Sequence, residues 1–102
     1  MLDNLLNTKL KKRLLGIFFT LPQRSFSAYE LKQMTESPIG SVQTALREFL
    51  NSLVIVSANK LQKRFFRVNP RFRLYDELSD LIKGSGFDDV EDGVAKLLKK
   101  LI

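Results

Sequence analysis

The chain has no cysteine and no histidine among its 102 residues. Without cysteine there is no disulfide framework and no thiolate nucleophile. Without histidine there is no Ser-His-Asp triad, and the two absences together remove the ligands of a typical zinc site. Catalysis would have to run on carboxylates, lysine or tyrosine, so the expectation is a non-enzymatic protein with no cofactor and no metal. No apolar run approaches the roughly 20 residues that span a bilayer. "KKRLLGIFFTLP" sets a basic cluster before an apolar stretch but offers no small-residue cleavage site. It is therefore read as a helix rather than a secretory signal, and a cytoplasmic location is expected. Internal repeats and low-complexity tracts are missing as well.

Apolar residues make up 44% and charged residues 27% of the chain, the composition of one ordinary globular domain. The net charge is +6 and unevenly spread. Residues 1–75 carry 13 Lys/Arg against 4 Asp/Glu, a balance of +9, and residues 76–102 carry 4 against 7, a balance of −3. A basic body with an acidic tail suggests a polyanionic partner, nucleic acid before membrane surface.

Periodicity divides the chain into short elements. From about Thr8 to Thr20, Leu10, Leu14, Ile17, Phe18 and Leu21 recur at helical spacing, with Leu15 and Phe19 on a second stripe. A helix apolar on two sides is either deeply buried or shared with a partner subunit. Lys9, Lys11, Lys12 and Arg13 oppose its dipole and read as a solvated face rather than a DNA contact. Ser27 to Glu30, "SAYE", matches a capping box, so a second helix follows with Leu31 and Met34 inward, ending before Pro38. The clearest segment starts within Pro38–Gly40: Val42, Ala45, Leu46, Phe49, Leu50 and Leu53 form one amphipathic face. Its opposite face holds Gly40, Ser41, Gln43, Thr44, Arg47 and Asn51, and Glu48 is its single acid.

Val54 to Ala58 then reads as a strand, with a turn near Asn59–Lys60 and a second strand from Gln62 to Val68. Alternation puts Phe66 and Val68 on one face and Lys63, Phe65 and Arg67 on the other. Phe65 is read as packing against the last helices. Pro70 closes the strand, and "LYDELSDLIK" forms a helix with Leu74, Leu78, Leu81 and Ile82 inward. A final helix runs from about Asp88 to Leu101, acid-first and lysine-last as the dipole favours. Its leucine stripe is core or dimer interface, with dimer preferred. "GFDDVEDG" fails as a calcium loop, since Val90 and Lys99 occupy ligand positions, and "GSG" lacks the Lys-Ser/Thr of a phosphate loop.

Two helices joined by a turn, the second long and amphipathic, and then a hairpin, are the order of a winged helix-turn-helix. Over residues about 8–82, "FSAYELKQMTESPIGSVQTALREFLNSLVIVSANKLQKRFFRVN" resembles winged helix-turn-helix transcriptional regulators of the MarR/ArsR-like type. "SVQTAL" falls in the recognition helix and "RFFRVNP" in the closing wing strand. "SPIGS" is longer than the usual tight turn, and no metal-sensing Cys or His is present. The expected architecture is mainly α with a small β-hairpin. Residues 1–83 form the winged domain, and residues 84–102 form a C-terminal helix as candidate dimerisation element.

The resemblance implies sequence-specific binding of double-stranded DNA by a homodimer acting in transcription regulation, without naming an effector. The helix at about 40–52 would read the major groove, and the wing at about 54–68 would hold phosphates or the adjacent minor groove. Ser41, Gln43, Thr44 and Arg47 would reach base edges, and Gly40 would let the backbone approach. Ser27 and Tyr29 would touch phosphate from the preceding helix, and Lys60, Lys63, Arg64 and Arg67 would do so from the wing. A second reading stays open: a winged-helix module for protein interaction or dimerisation, related to the N-terminal domain of a nucleotidyltransferase-like protein.

Overall fold

The computed structural model describes Leu5 and residues 7–84. The expected helix at 88–101, and the dimer reading that rests on it, lie outside the described residues. Among the described residues, four helices and three strands follow in the order α1 (Lys9–Thr20), β1 (Phe26–Ser27), α2 (Ala28–Thr35), α3 (Ile39–Asn51), β2 (Ile55–Lys60), β3 (Lys63–Val68) and α4 (Tyr75–Gly84). The strands form one antiparallel sheet in the order β1-β3-β2.

Helix α1 starts where Thr8 accepts from the Lys11 amide at 3.1 Å. Its two apolar stripes are both buried within the chain: Leu14, Leu15, Ile17, Phe18 and Phe19 are all in the core. Phe18 meets Phe26 edge-on at 6.0 Å, which ties α1 to β1. Each such side chain contributes about 1.5–3 kcal/mol by leaving water. The basic cluster at the start of α1 is not uniformly solvated. Lys11 is buried and forms an ion pair with Glu48 of α3, so the one acid on the outer side of α3 anchors it to α1.

The capping box forms as expected: the Glu30 amide donates to Ser27 Oγ at 3.1 Å, and the Ser27 amide donates to Glu30 Oε1 at 3.0 Å. Residue 36 closes α2 in the left-handed region, and α3 begins at Ile39. The turn is therefore residues 36–38, tighter than "SPIGS" suggests, because Ile39 and Gly40 are already helical. Helix α3 buries Val42, Ala45, Leu46 and Phe49.

Leu53 does not complete that apolar face. The helix stops at Asn51, and Leu53 adopts φ 64° with 65% of its surface exposed. The Val54 amide reaches the Phe49 carbonyl at 3.0 Å and the Leu53 amide reaches the Leu50 carbonyl at 3.1 Å, a Schellman closure. Asn69 braces this corner by donating through Nδ2 to the Leu53 carbonyl at 2.8 Å. The "NP" after the wing thus clamps the wing base to the end of α3.

The hairpin turn lies two residues later than expected. Lys60 pairs with Lys63, so Asn59 and Lys60 still belong to the strand and Leu61–Gln62 form a two-residue loop. Both have positive φ, 51° and 65°, as a type I′ turn requires. Neither is Gly or Asn, and each non-glycine residue held there costs about 1–2 kcal/mol. The sequence offered β1 no periodicity to read, because it is two residues long. It exists because Phe26 and Ser27 pair with Phe66 and Phe65. Helix α4 buries Leu78 and Ile82 and sets Tyr75 against Phe19 at 5.0 Å. Leu81 is exposed instead of inward, since it falls outside the buried 78–82 row.

Candidate nucleic-acid interface

On α3 the four core positions occupy one side and Gly40, Ser41, Gln43, Thr44, Arg47 and Asn51 are all exposed. Gln43 and Arg47 are one turn apart, so their side chains project together. Ser41 is rotated about 100° from Gly40, onto the flank that carries Glu48. Thr44 donates its hydroxyl to the Gly40 carbonyl at 2.9 Å, leaving only its acceptor side to an incoming group. A Cβ added at Gly40 would meet no atom within 4 Å. No side chain caps the start of α3, which follows Pro38, and its first turn holds no acid. Its leading amide donors thus face outward without a carboxylate of their own.

A groove of about 1020 Å³ runs between α3, the start of α2 and β3. Six of the expected residues line it: Ser27, Tyr29, Gln43, Arg47, Lys63 and Arg64. Phe65 is half-buried in the same wall, and the final helix it was expected to meet lies outside the described residues; Asn51 extends the wall one turn beyond Arg47. The sequence already set Asn51 on this outer face, and its i, i+4 spacing from Arg47 is what carries it into the groove wall. Gly40, Ser41, Thr44, Lys60 and Arg67 lie outside the groove lining.

Register sorts the wing cations onto two faces. Lys60, Lys63, Phe65 and Arg67 share one, while Arg64 shares the face of Phe66. Arg64 donates to Ser57 Oγ at 3.1 Å and its guanidinium stands 5.2 Å over the Phe66 ring, so it covers the rim of the core. Tyr29 is 61% exposed; its hydroxyl accepts from Gln33 at 2.9 Å, and Lys32 sits 5.4 Å from its ring. Ser27 is committed to its capping box and Thr44 to its own helix. Gln43, Arg47, Lys60, Lys63 and Arg67 carry exposed polar ends. The arrangement is a strip of hydrogen-bonding side chains on a helix beside a cationic hairpin.

Among the described residues no helix is long and apolar enough to cross a membrane, and no group of three His, Cys, Asp or Glu side chains comes together as a metal site. No protein-family model and no curated protein matches the chain. The crystal structure of MepR, a transcription regulator of the Staphylococcus aureus multidrug efflux pump MepA, is similar to it in three dimensions. The TM-score is 0.65 at 14% sequence identity, over 98% of this chain and 82% of that one. Sequence order, sheet topology and this likeness agree: the chain is a winged helix-turn-helix.

Proposed function

We propose that the protein is a DNA-binding transcription regulator that reads the major groove with α3 and grips the backbone with its wing. The observation that carries this reading is the exposure of Gln43 and Arg47 one turn apart on α3, in a groove shared with Lys63 and Arg64 of β3. Gln43 has the geometry to pair with adenine N6/N7 and Arg47 with guanine O6/N7. Lys60, Lys63 and Arg67 supply phosphate contacts, with Ser27 and Tyr29 at the start of α2 on the same side. Ser41 and Thr44 add hydrogen-bonding groups, and Gly40 admits the DNA backbone. The protein acts as a cytoplasmic homodimer on paired half-sites, without catalysis. The fold it shares with a transcription regulator supports this reading, as does the +9 balance over residues 1–75.

Fluorescence anisotropy against a duplex selected from a random pool tests it. Affinity is expected to fall steeply with salt, as phosphate contacts demand. Arg47→Ala and Gln43→Ala should each cost about 1–3 kcal/mol on the selected duplex, relax the preference at one base pair and leave the salt slope nearly unchanged. Equal losses on selected and random duplexes would remove α3 from base reading.

A further inference from the structure

The tip of the wing breaks three local rules at once. Leu61 and Gln62 hold the left-handed backbone that a type I′ turn needs, with neither glycine nor asparagine to make it easy. Lys60 and Lys63 are directly opposed at the last pair of the ladder, where like charges repel. Leu61 is 97% exposed, the most exposed large apolar side chain among the described residues. No carboxylate pairs with either lysine among those residues. None of these choices serves the isolated fold, and such clusters of strain and exposure mark places where a partner completes the structure.

From this tip we infer that Leu61 is an apolar wedge that enters the minor groove of DNA and partly unstacks one base step. The inference rests on the DNA-binding reading and adds to it a residue that deforms rather than grips. The minor groove is about 6 Å wide, which admits a single side chain from the tip of a turn but not a helix. Lys60 and Lys63 flank Leu61, so each can take a phosphate from one of the two strands while the leucine points between them. Single aliphatic side chains inserted this way unstack and kink the duplex, and flexible pyrimidine–purine steps yield most readily. The wedge therefore adds sequence preference at a position α3 never touches. Nucleic acid is favoured over lipid because one leucine is a small apolar anchor, whereas the groove beside the tip presents the hydrogen-bonding ends of Gln43, Arg47 and Asn51.

The test uses the full chain and its selected duplex, made with 2-aminopurine at successive positions. The wild-type protein should raise the fluorescence of 2-aminopurine at one step beyond the α3 footprint. Leu61→Ala should abolish that rise and weaken binding about tenfold while leaving the salt slope unchanged. Lys60→Ala with Lys63→Ala should instead lower the slope by about two. The double variant Leu61→Asn, Gln62→Gly gives the turn its favoured residues; it should unfold at a higher temperature and still lose the fluorescence rise, which separates the wedge from mere turn stability. A bound duplex with no rise at any position, or a rise that survives Leu61→Ala, overturns the wedge and leaves DNA binding standing. Failure to bind any duplex at low salt removes the DNA reading and the wedge together. Binding to phosphatidylcholine–phosphatidylserine vesicles that Leu61→Ala abolishes, with duplex binding intact, would assign the tip to a membrane surface.

Discussion

Gly40 separates the demands of the fold from those of a partner. It sits in the first turn of an exposed helix, where glycine is unfavourable and where a Cβ would touch nothing. Gly40→Ala should therefore stabilise the protein by about 0.5–1 kcal/mol, raising the unfolding temperature by roughly 2–8 °C. The same change should weaken binding to the selected duplex, because the added methyl stands where the DNA backbone would approach. Calorimetry and anisotropy on one sample check both; unchanged affinity would take Gly40 out of the interface. Lys11 and Glu48 illustrate the opposite case, in which a charge taken for a solvated one fixes a helix. With Lys11 buried and Glu48 half-exposed, the pair fastens α3 to α1 while Gln43 and Arg47 stay free on the other flank.

Among the elements, α2 and α3 are closed by different means. Helix α2 has a complete capping box and α3 has no side-chain cap. Ser27 also belongs to β1, so its hydroxyl caps α2 while its backbone pairs with Phe65 of β3. Ser27→Ala should cost about 1 kcal/mol, or roughly 4–8 °C in unfolding temperature, and Ser27→Asp should restore most of it. A thermal melt reads both. If Ser27→Ala weakens DNA binding and Ser27→Asp restores stability without restoring binding, Ser27 meets phosphate as well, since a carboxylate there would repel it. Strand β1 shows how little sequence an element needs when its partner is fixed. Two residues become a strand because β3 presents an unpaired edge to them.

At the scale of the molecule, the proposed binding to paired half-sites makes a prediction. A homodimer should appear in sedimentation equilibrium at close to twice the chain mass of 11.7 kDa and should bind one duplex per two chains. A single-chain mass at concentrations that saturate the duplex would leave the helix as a monomeric reader of one half-site. The two-sided apolar helix α1 does not supply the dimer contact by default, because the chain's own core covers Leu14, Leu15, Phe18 and Phe19.

Sequence alone determined the elements whose signals are local. The 3.6-residue rows of α1 and α3, the "SAYE" capping box and the alternation of β3 need only neighbouring residues to be recognised. So do the composition limits set by absent Cys and His. It also placed Gln43 and Arg47 on the outer face of a helix, because burial of Val42, Ala45, Leu46 and Phe49 leaves them nowhere else to go. Tertiary structure decided what depends on contacts distant in the chain. The 26↔66 pairing makes β1, the 11–48 ion pair claims a cation that sequence left to solvent, and the 60↔63 register moves the hairpin turn onto Leu61. These are pairings between surfaces, and no periodicity within a segment encodes its partner's register. The physical reason is the same in each case: a local pattern fixes which face is apolar, but only packing fixes what that face, and the residues left beside it, will meet.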